Sequence, residues 1–216
     1  MIKVLIEGKH TNSYFNGHYR IEDFTSSVTL IRLQNANILI DTGTLAYRDR
    51  LIKSLENENL FPNDIDYIFN THFHLDHISN NTVFFNAKQV SEHSIFDLKT
   101  GKCDIYHERE TLKKHIPEEV DFFQTPGHFK DHRSALYRDN DTNYVVAGDI
   151  IREDIIRGEG FSANGVSQTF YNSMKLIFQK ADVIIPGHGR IIEGKLFDEL
   201  YSIVLNDFPK KHGLES

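Results

Sequence analysis

The sequence predicts a fold that mixes α and β elements, and three observations carry that expectation. Short β-branched apolar runs recur along the chain, segments of helical period lie between them, and Gly, Pro, Asn or Asp closes most of the runs. At 216 residues with 39% hydrophobic residues the chain is long enough to bury a substantial core, and with no linker-like stretch or repeat it reads as one domain, 1–216.

The elements follow in order. Met1 to Glu7 is apolar but acquires charge at once, without the h-region of a secretory signal. His10 and His18 flank a polar, aromatic stretch with Asn16-Gly17 at its tip. Val28–Leu33 and Asn37–Ile40, separated by Gln34-Asn35-Ala36, read as a hairpin whose second strand closes in Asp41-Thr42-Gly43. Leu45, Leu51, Ile52 and Leu55 fall near helical spacing, which predicts a surface helix from about Leu45 to Asn59. Asp66–Asn70 is a short strand leading into Thr71-His72-Phe73-His74-Leu75-Asp76-His77.

The second half repeats the pattern. Val120–Gln124 runs into Thr125-Pro126-Gly127-His128, and Arg133–Arg138 pairs across a turn with Asn143–Ala147, which ends in Gly148-Asp149. Ser167 is a plausible N-cap for a helix to about Lys180 with Phe170, Met174, Ile177 and Phe178 on one face. Asp182–Ile185 is a strand entering Pro186-Gly187-His188-Gly189, after which there is room for one more helix. His128, Asp149 and His188 each follow a glycine, where the backbone can turn tightly or approach another group closely.

The chemistry concentrates in one place. Residues 72 to 77 hold three imidazoles and one carboxylate, a density of metal-ligand types that folding does not require. Imidazole suits Zn and Fe, and an aspartate adds the charge and oxygen a second cation prefers, so two metals are expected. A net charge of −7 argues against a broad grip on phosphate backbones, although two cations in a cleft would reverse the sign locally. Lys113-Lys114 and Lys210-Lys211 are isolated pairs of the solvated kind. Cys103 is the one cysteine, so no intramolecular disulfide can form, and it reads as a small, partly buried residue. No membrane-spanning run is present, and a cytoplasmic protein is expected.

The order, spacing and glycine context of these segments resemble the metallo-β-lactamase superfamily over nearly the whole chain. The resemblance implies an α+β fold, a four-layer αββα sandwich of two mixed β-sheets. It implies a first metal held by His72, His74 and His128, a second by Asp76, His77 and His188, and Asp149 between them. The ions would be Zn, with Fe or Mn as alternatives, and a hydroxide between them would be the nucleophile. Asp76 is the candidate catalytic residue, orienting the hydroxide or moving its proton. Outside the ligand set, Asp41 matches a buried aspartate that orients a ligand, or else simply closes a strand-end turn, and His132 matches a histidine whose role is structural hydrogen bonding rather than catalysis, with the catalytic role as the alternative. The 10–18 stretch resembles a flap over the cleft, and equally reads as a solvated hairpin. Phe15, Phe161, Phe170 and Tyr171 are aromatic candidates for a cleft lining, the last two more in keeping with a core.

No specialised subfamily is matched in full. Ile78-Ser79-Asn80-Asn81 stands where thioesterase and lactonase relatives have paired glycines, and Ile150-Ile151-Arg152 stands where lactonases place a tyrosine. The nearest likeness is the compact group that includes the animal histone pre-mRNA endonuclease, on Ser26–Leu30, on Gly148–Asp154 and on the short tail. The expected activity is hydrolysis of an ester, thioester or lactone of a small molecule. The alternatives are a phosphodiesterase or nuclease acting on RNA or a nucleotide, β-lactam hydrolysis, sulfur oxygenation at one iron, and a non-catalytic metal-bearing module. A small-molecule substrate is the expected partner, with no membrane partner and with a homodimer left open.

Overall fold

A computed structural model describes residues 1–91, 93–159 and 166–215, so the expectation for Phe161 lies outside the described residues. The chain divides into two compact units, Met1–Glu119 and Val120–Ser216.

The first unit contains β1 (Ile2–Ile6), β2 (Lys9–Phe15), β3 (His18–Thr25), β4 (Val28–Arg32), β5 (Asn37–Ile40), α1 (Arg48–Asn57), β6 (Tyr67–Phe69), α2 (Leu75–Ile78), β7 (Lys88–Val90), β8 (Ser94–Asp97), β9 (Cys103–Ile105) and α3 (Arg109–Lys113). Seven of these strands form a mixed sheet in the order β1-β4-β5-β6-β7-β8-β9. β4 and β5 are the expected hairpin, paired antiparallel with Thr29 opposite Ile40, while β5, β6 and β7 run parallel. Val28 to Ile31 are all buried, which explains why this strand reads as a continuous apolar run rather than an alternating one. β2 and β3 make a separate two-stranded hairpin with Gly17 in its turn at φ +84, and Tyr14 and Phe15 near the tip are exposed.

The first core gathers Val28, Leu30, Leu39, Leu51, Leu55, Ile68 and Phe84. Leu51 and Leu55 are the buried face of α1, as their four-residue spacing implies. Leu45 is not part of that face: Leu45–Tyr47 is a 3₁₀ turn, and the Leu45 side chain is 61% exposed. Cys103 also departs from expectation, because it lies exposed on the edge strand β9.

The second unit contains β10 (Val120–Gln124), β11 (Arg133–Asp139), β12 (Thr142–Gly148), α4 (Glu153–Arg157), α5 (Gln168–Lys180), β13 (Val183–Pro186), α6 (Gly194–Asn206) and α7 (Phe208–His212). Its sheet has the order β10-β11-β12-β13, antiparallel except for the last pair. The parallel β12/β13 pair requires a crossover, and α5 lies in that connection. The Ser167 side chain accepts a hydrogen bond from the Phe170 N–H at 3.1 Å, and Phe170, Tyr171, Met174, Ile177 and Phe178 are the buried face of α5. Phe170 and Tyr171 are therefore core residues. The tail forms two helices instead of one: α6 breaks at Asp207, and Pro209 lies in the first turn of α7, where its missing N–H costs nothing.

A charged cluster ties α4 to α6. Arg157 donates to Glu199 Oε1 at 2.7 Å and to Glu153 Oε1 at 2.9 Å, and Arg190 also reaches Glu153. Burial pushes the Glu153 carboxyl up, but the hydrogen bonds from Arg190 and Arg157 outweigh it and hold the group below its ordinary value. Arg157 likewise holds Glu199 below the ordinary 4.5. A depressed carboxylate stabilises the folded state above its unfolded pKa and loses that contribution as the pH falls through the folded one. Glu199→Gln should therefore weaken thermal stability slightly at neutral pH and shrink the loss of stability below pH 4.5, which melting curves across the acid range would read. Ser167→Ala should cost about 1 kcal/mol in urea unfolding.

Candidate metal centre

In the first unit the candidate ligands sit where β6 ends. The parallel ladder continues for one bond past β5, with the Asp41 N–H donating to Phe69 O at 2.8 Å. The chain then turns with Asp41 at φ +58, a conformation that short polar side chains tolerate better than most. That turn places the Asp41 carboxylate, 1% exposed, under the loop after β6. Asp41 Oδ1 accepts from the Thr71 N–H at 2.8 Å, and Oδ2 accepts from the Thr71 hydroxyl and from His77 Nδ1, each at 2.8 Å.

These bonds fix two imidazoles. His77 donates Nδ1–H to a carboxylate, so its lone pair is on Nε2. The Thr71 hydroxyl proton is committed to Asp41, so its oxygen accepts from His72 Nδ1 at 3.1 Å, and the His72 lone pair is also on Nε2. The donors then meet their neighbours. His72 Nε2 lies 2.9 Å from His74 Nδ1, and His77 Nε2 lies 3.3 Å from Asp76 Oδ2. Two ligands at about 2.0–2.1 Å from one tetrahedral ion lie roughly 3.3 Å apart, so the second pair has the spacing of a shared ion and the first is slightly tighter.

The one-turn helix α2 that carries Asp76 and His77 is held from outside. His77 O accepts from the Thr42 N–H at 2.8 Å and from Asn70 Nδ2 at 3.3 Å, and Asp76 O accepts from the Ser26 N–H at 3.1 Å. Asn81 Nδ2 donates to Asn70 Oδ1 at 2.8 Å, and Asn80 Nδ2 donates to Thr42 O and Thr44 O at 2.9 and 2.8 Å. Asn80 and Asn81 thus use their amides to clamp the end of β5, a role glycines at these positions could not play.

In the second unit β10, β12 and β13 bring His128, Asp149 and His188 together at their ends. His188 Nε2 and His128 Nε2 lie 3.3 and 3.5 Å from the same oxygen, Asp149 Oδ2, again the spacing of neighbouring ligands. Gly187 permits the approach, because a Cβ there would sit 2.1 Å from Asp149 Oδ1. Gly127, at φ +141, packs against α5, where a Cβ would lie 2.4 Å from Phe170 Cα. His132 is fully buried and stands behind Asp149: its Nε2 accepts from the Asp149 N–H at 3.2 Å and its Nδ1 faces the Thr125 hydroxyl at 2.9 Å.

The sequence reading gave no role to Thr71, Asn70, Asn80, Asn81 or Thr125. Thr71 carried a signal, since a hydroxyl residue directly before a His-x-His segment is placed to bond the first imidazole.

Comparison with known proteins gives a consistent picture. The sequence model described as "Metallo-beta-lactamase superfamily" matches residues 21–95. A Methanocaldococcus jannaschii protein named "Probable metallo-hydrolase" is 36% identical over 157 residues, covering 72% of this chain and 72% of that one. "Metallo-beta-lactamase domain-containing protein 1" of Xenopus laevis is 32% identical over 169 residues, 76% of this chain and 70% of the frog protein. Among solved structures, a candidate metallo-β-lactamase of Thermotoga maritima matches with TM-score 0.64 and 24% identity, over 89% of this chain and 98% of that chain. The α+β class with mixed sheets is the one expected from the sequence.

Because Asp41 sets the His77 tautomer, Asp41→Asn should turn an amide N–H toward Nδ1 and move the proton to Nε2. Metal affinity should fall about 10–100-fold, read by competition with a chelator, while the far-UV CD spectrum is retained.

Proposed function

The chain belongs to the metallo-β-lactamase superfamily, and we propose that it is a hydrolase of small-molecule esters, thioesters or lactones working with two divalent ions, Zn by preference. His72, His74 and His128 would hold one ion, and Asp76, His77 and His188 the other, with Asp149 shared between them. The supporting observation is the donor set: the Nε2 atoms of His77, His128 and His188 lie 3.3 to 3.5 Å from carboxylate oxygens, and the tautomers of His72 and His77 are fixed by Thr71 and Asp41. Three neutral imidazoles suit a borderline ion such as Zn, and two carboxylates offset the charge of a close cation pair. A dizinc quorum-quenching lactonase shares the fold, with TM-score 0.56 at 18% identity.

Bound there, the ions would supply Lewis acidity, polarising the substrate carbonyl and making water a competent nucleophile near neutral pH. The residues of the chain do the rest. Asp76, through the carboxylate oxygen that does not face His77, would take up the proton released by the attacking water, and that proton would leave with the departing alkoxide or thiolate, so an ester plus water gives an acid plus an alcohol. Asp41 and Thr71 hold His72 and His77 in one orientation, which avoids reorganisation as charge develops at the carbonyl. His132 holds the Asp149 backbone, and through it the carboxylate that His128 and His188 face.

The test is a comparison of an activated carboxyl ester with bis-p-nitrophenyl phosphate on protein of measured metal content. Turnover of the ester is expected, with loss of at least about 10³-fold in kcat for Asp149→Ala while the variant stays folded. Turnover of the phosphodiester alone would replace this reading with phosphoryl chemistry, and turnover of neither by metal-loaded protein would favour a binding module. No helix among the described residues is long and apolar enough to cross a membrane.

A further inference from the structure

The seven-stranded sheet of the first unit ends in β9, whose outer side is an open edge. β8 and β9 pair antiparallel, with Phe96 opposite Cys103 and Ser94 opposite Ile105. At the two ends of this pair the Asp97 N–H donates to Lys102 O at 2.8 Å, and the Tyr106 N–H donates to His93 O at 2.6 Å. Hydrogen-bonded positions alternate along an antiparallel ladder, so the even-numbered residues of β9 face β8. The N–H and C=O of Cys103 and Ile105 therefore point out of the sheet, and no backbone group among the described residues pairs with them.

The side chains along this edge are open as well. Lys102, Cys103, Asp104 and Ile105 are all exposed, Ile105 by 71%. Lys102 and Asp104 have no ion-pair partner among the described residues. They flank Cys103 symmetrically with opposite charge, an arrangement that complements itself under a two-fold rotation.

We propose that β9 pairs antiparallel with β9 of a second copy of this chain, about a two-fold axis at Cys103. In that register the main-chain groups of Cys103 exchange hydrogen bonds with those of the partner's Cys103. Lys102 lies opposite the partner's Asp104, and Asp104 opposite the partner's Lys102, at the non-hydrogen-bonded positions where side chains approach most closely. The next register that also pairs the outward groups sets Asp104 against the partner's Asp104, and like charges directly opposite are destabilising. Charge thus selects the first register. On the other face Phe96, itself 36% exposed, extends an apolar row through Cys103 to the same two residues of the partner. The ladder ends at Gly101, where the chain turns at φ +70 and leaves open space for the partner's Ile105. An edge closed on its own copy is no longer a template for further chains. The pairing is independent of the metal chemistry.

The test uses the full chain. Light scattering during size exclusion should give twice the 25.0 kDa of one chain. Cα atoms at a hydrogen-bonded pair lie about 5.5 Å apart, within the range a disulfide spans. Diamide, which takes one hydrogen from each of two thiols, should therefore link folded chains through Cys103, the one cysteine, faster than urea-unfolded chains at the same concentration. Asp104→Lys should raise the dimer dissociation constant about tenfold or more, and adding Lys102→Asp to it should restore pairing. A monomer's mass at the highest soluble concentration would overturn the proposal. So would a dimer that D104K leaves unweakened, or one that diamide links no faster than unfolded chains. The cross-linking measurement uses the native sequence and decides the matter even if D104K does not fold.

Discussion

The buried Asp41 carboxylate is the constraint on which the first half of the site depends. It is 1% exposed and sits in a left-handed turn, and it collects one backbone N–H, one hydroxyl and one imidazole N–H. A buried charge is tolerated only when hydrogen bonds meet it, and here every bond also does positional work. One orients His77 directly, and another sets the Thr71 hydroxyl, which in turn orients His72. The strand end, the loop and two candidate ligands therefore share one electrostatic anchor, and loss of the anchor would disturb both imidazoles together.

The second unit reaches a similar result by different means. Its candidate ligands come from three strand ends, and backbone geometry rather than a buried charge brings them close. Gly187 leaves room for the Asp149 carboxylate, and Gly127 seats its loop on α5. His132, between Thr125 and the Asp149 N–H, replaces solvent behind the site with a fixed dipole. Both units thus place ligand-type groups at the C-terminal ends of strands, where the chain leaves the sheet and side chains can converge.

Much of this was legible in the sequence. β10 and α5 fall where their runs and caps put them, because each has a strong local signal: Val120, Phe122 and Phe123 ahead of Thr-Pro-Gly, and Ser167 ahead of a clean helical face. Leu45 was misleading, since helical spacing cannot show that the chain turns as a 3₁₀ segment before α1 begins. The tail broke into two helices at Asp207, which a sequence pattern with Pro209 permits but does not demand. The contacts of Thr71, Asn70, Asn80 and Asn81 were not readable, because each partner lies across a tertiary interface, in one case 38 positions away in the chain.

If the histidine and aspartate sets hold a pair of divalent ions, metal stoichiometry shows it most directly. Elemental analysis of the full chain, purified without chelator and then saturated with Zn, should give two ions per chain for wild type. One ion or fewer at saturation in correctly folded protein would contradict the account.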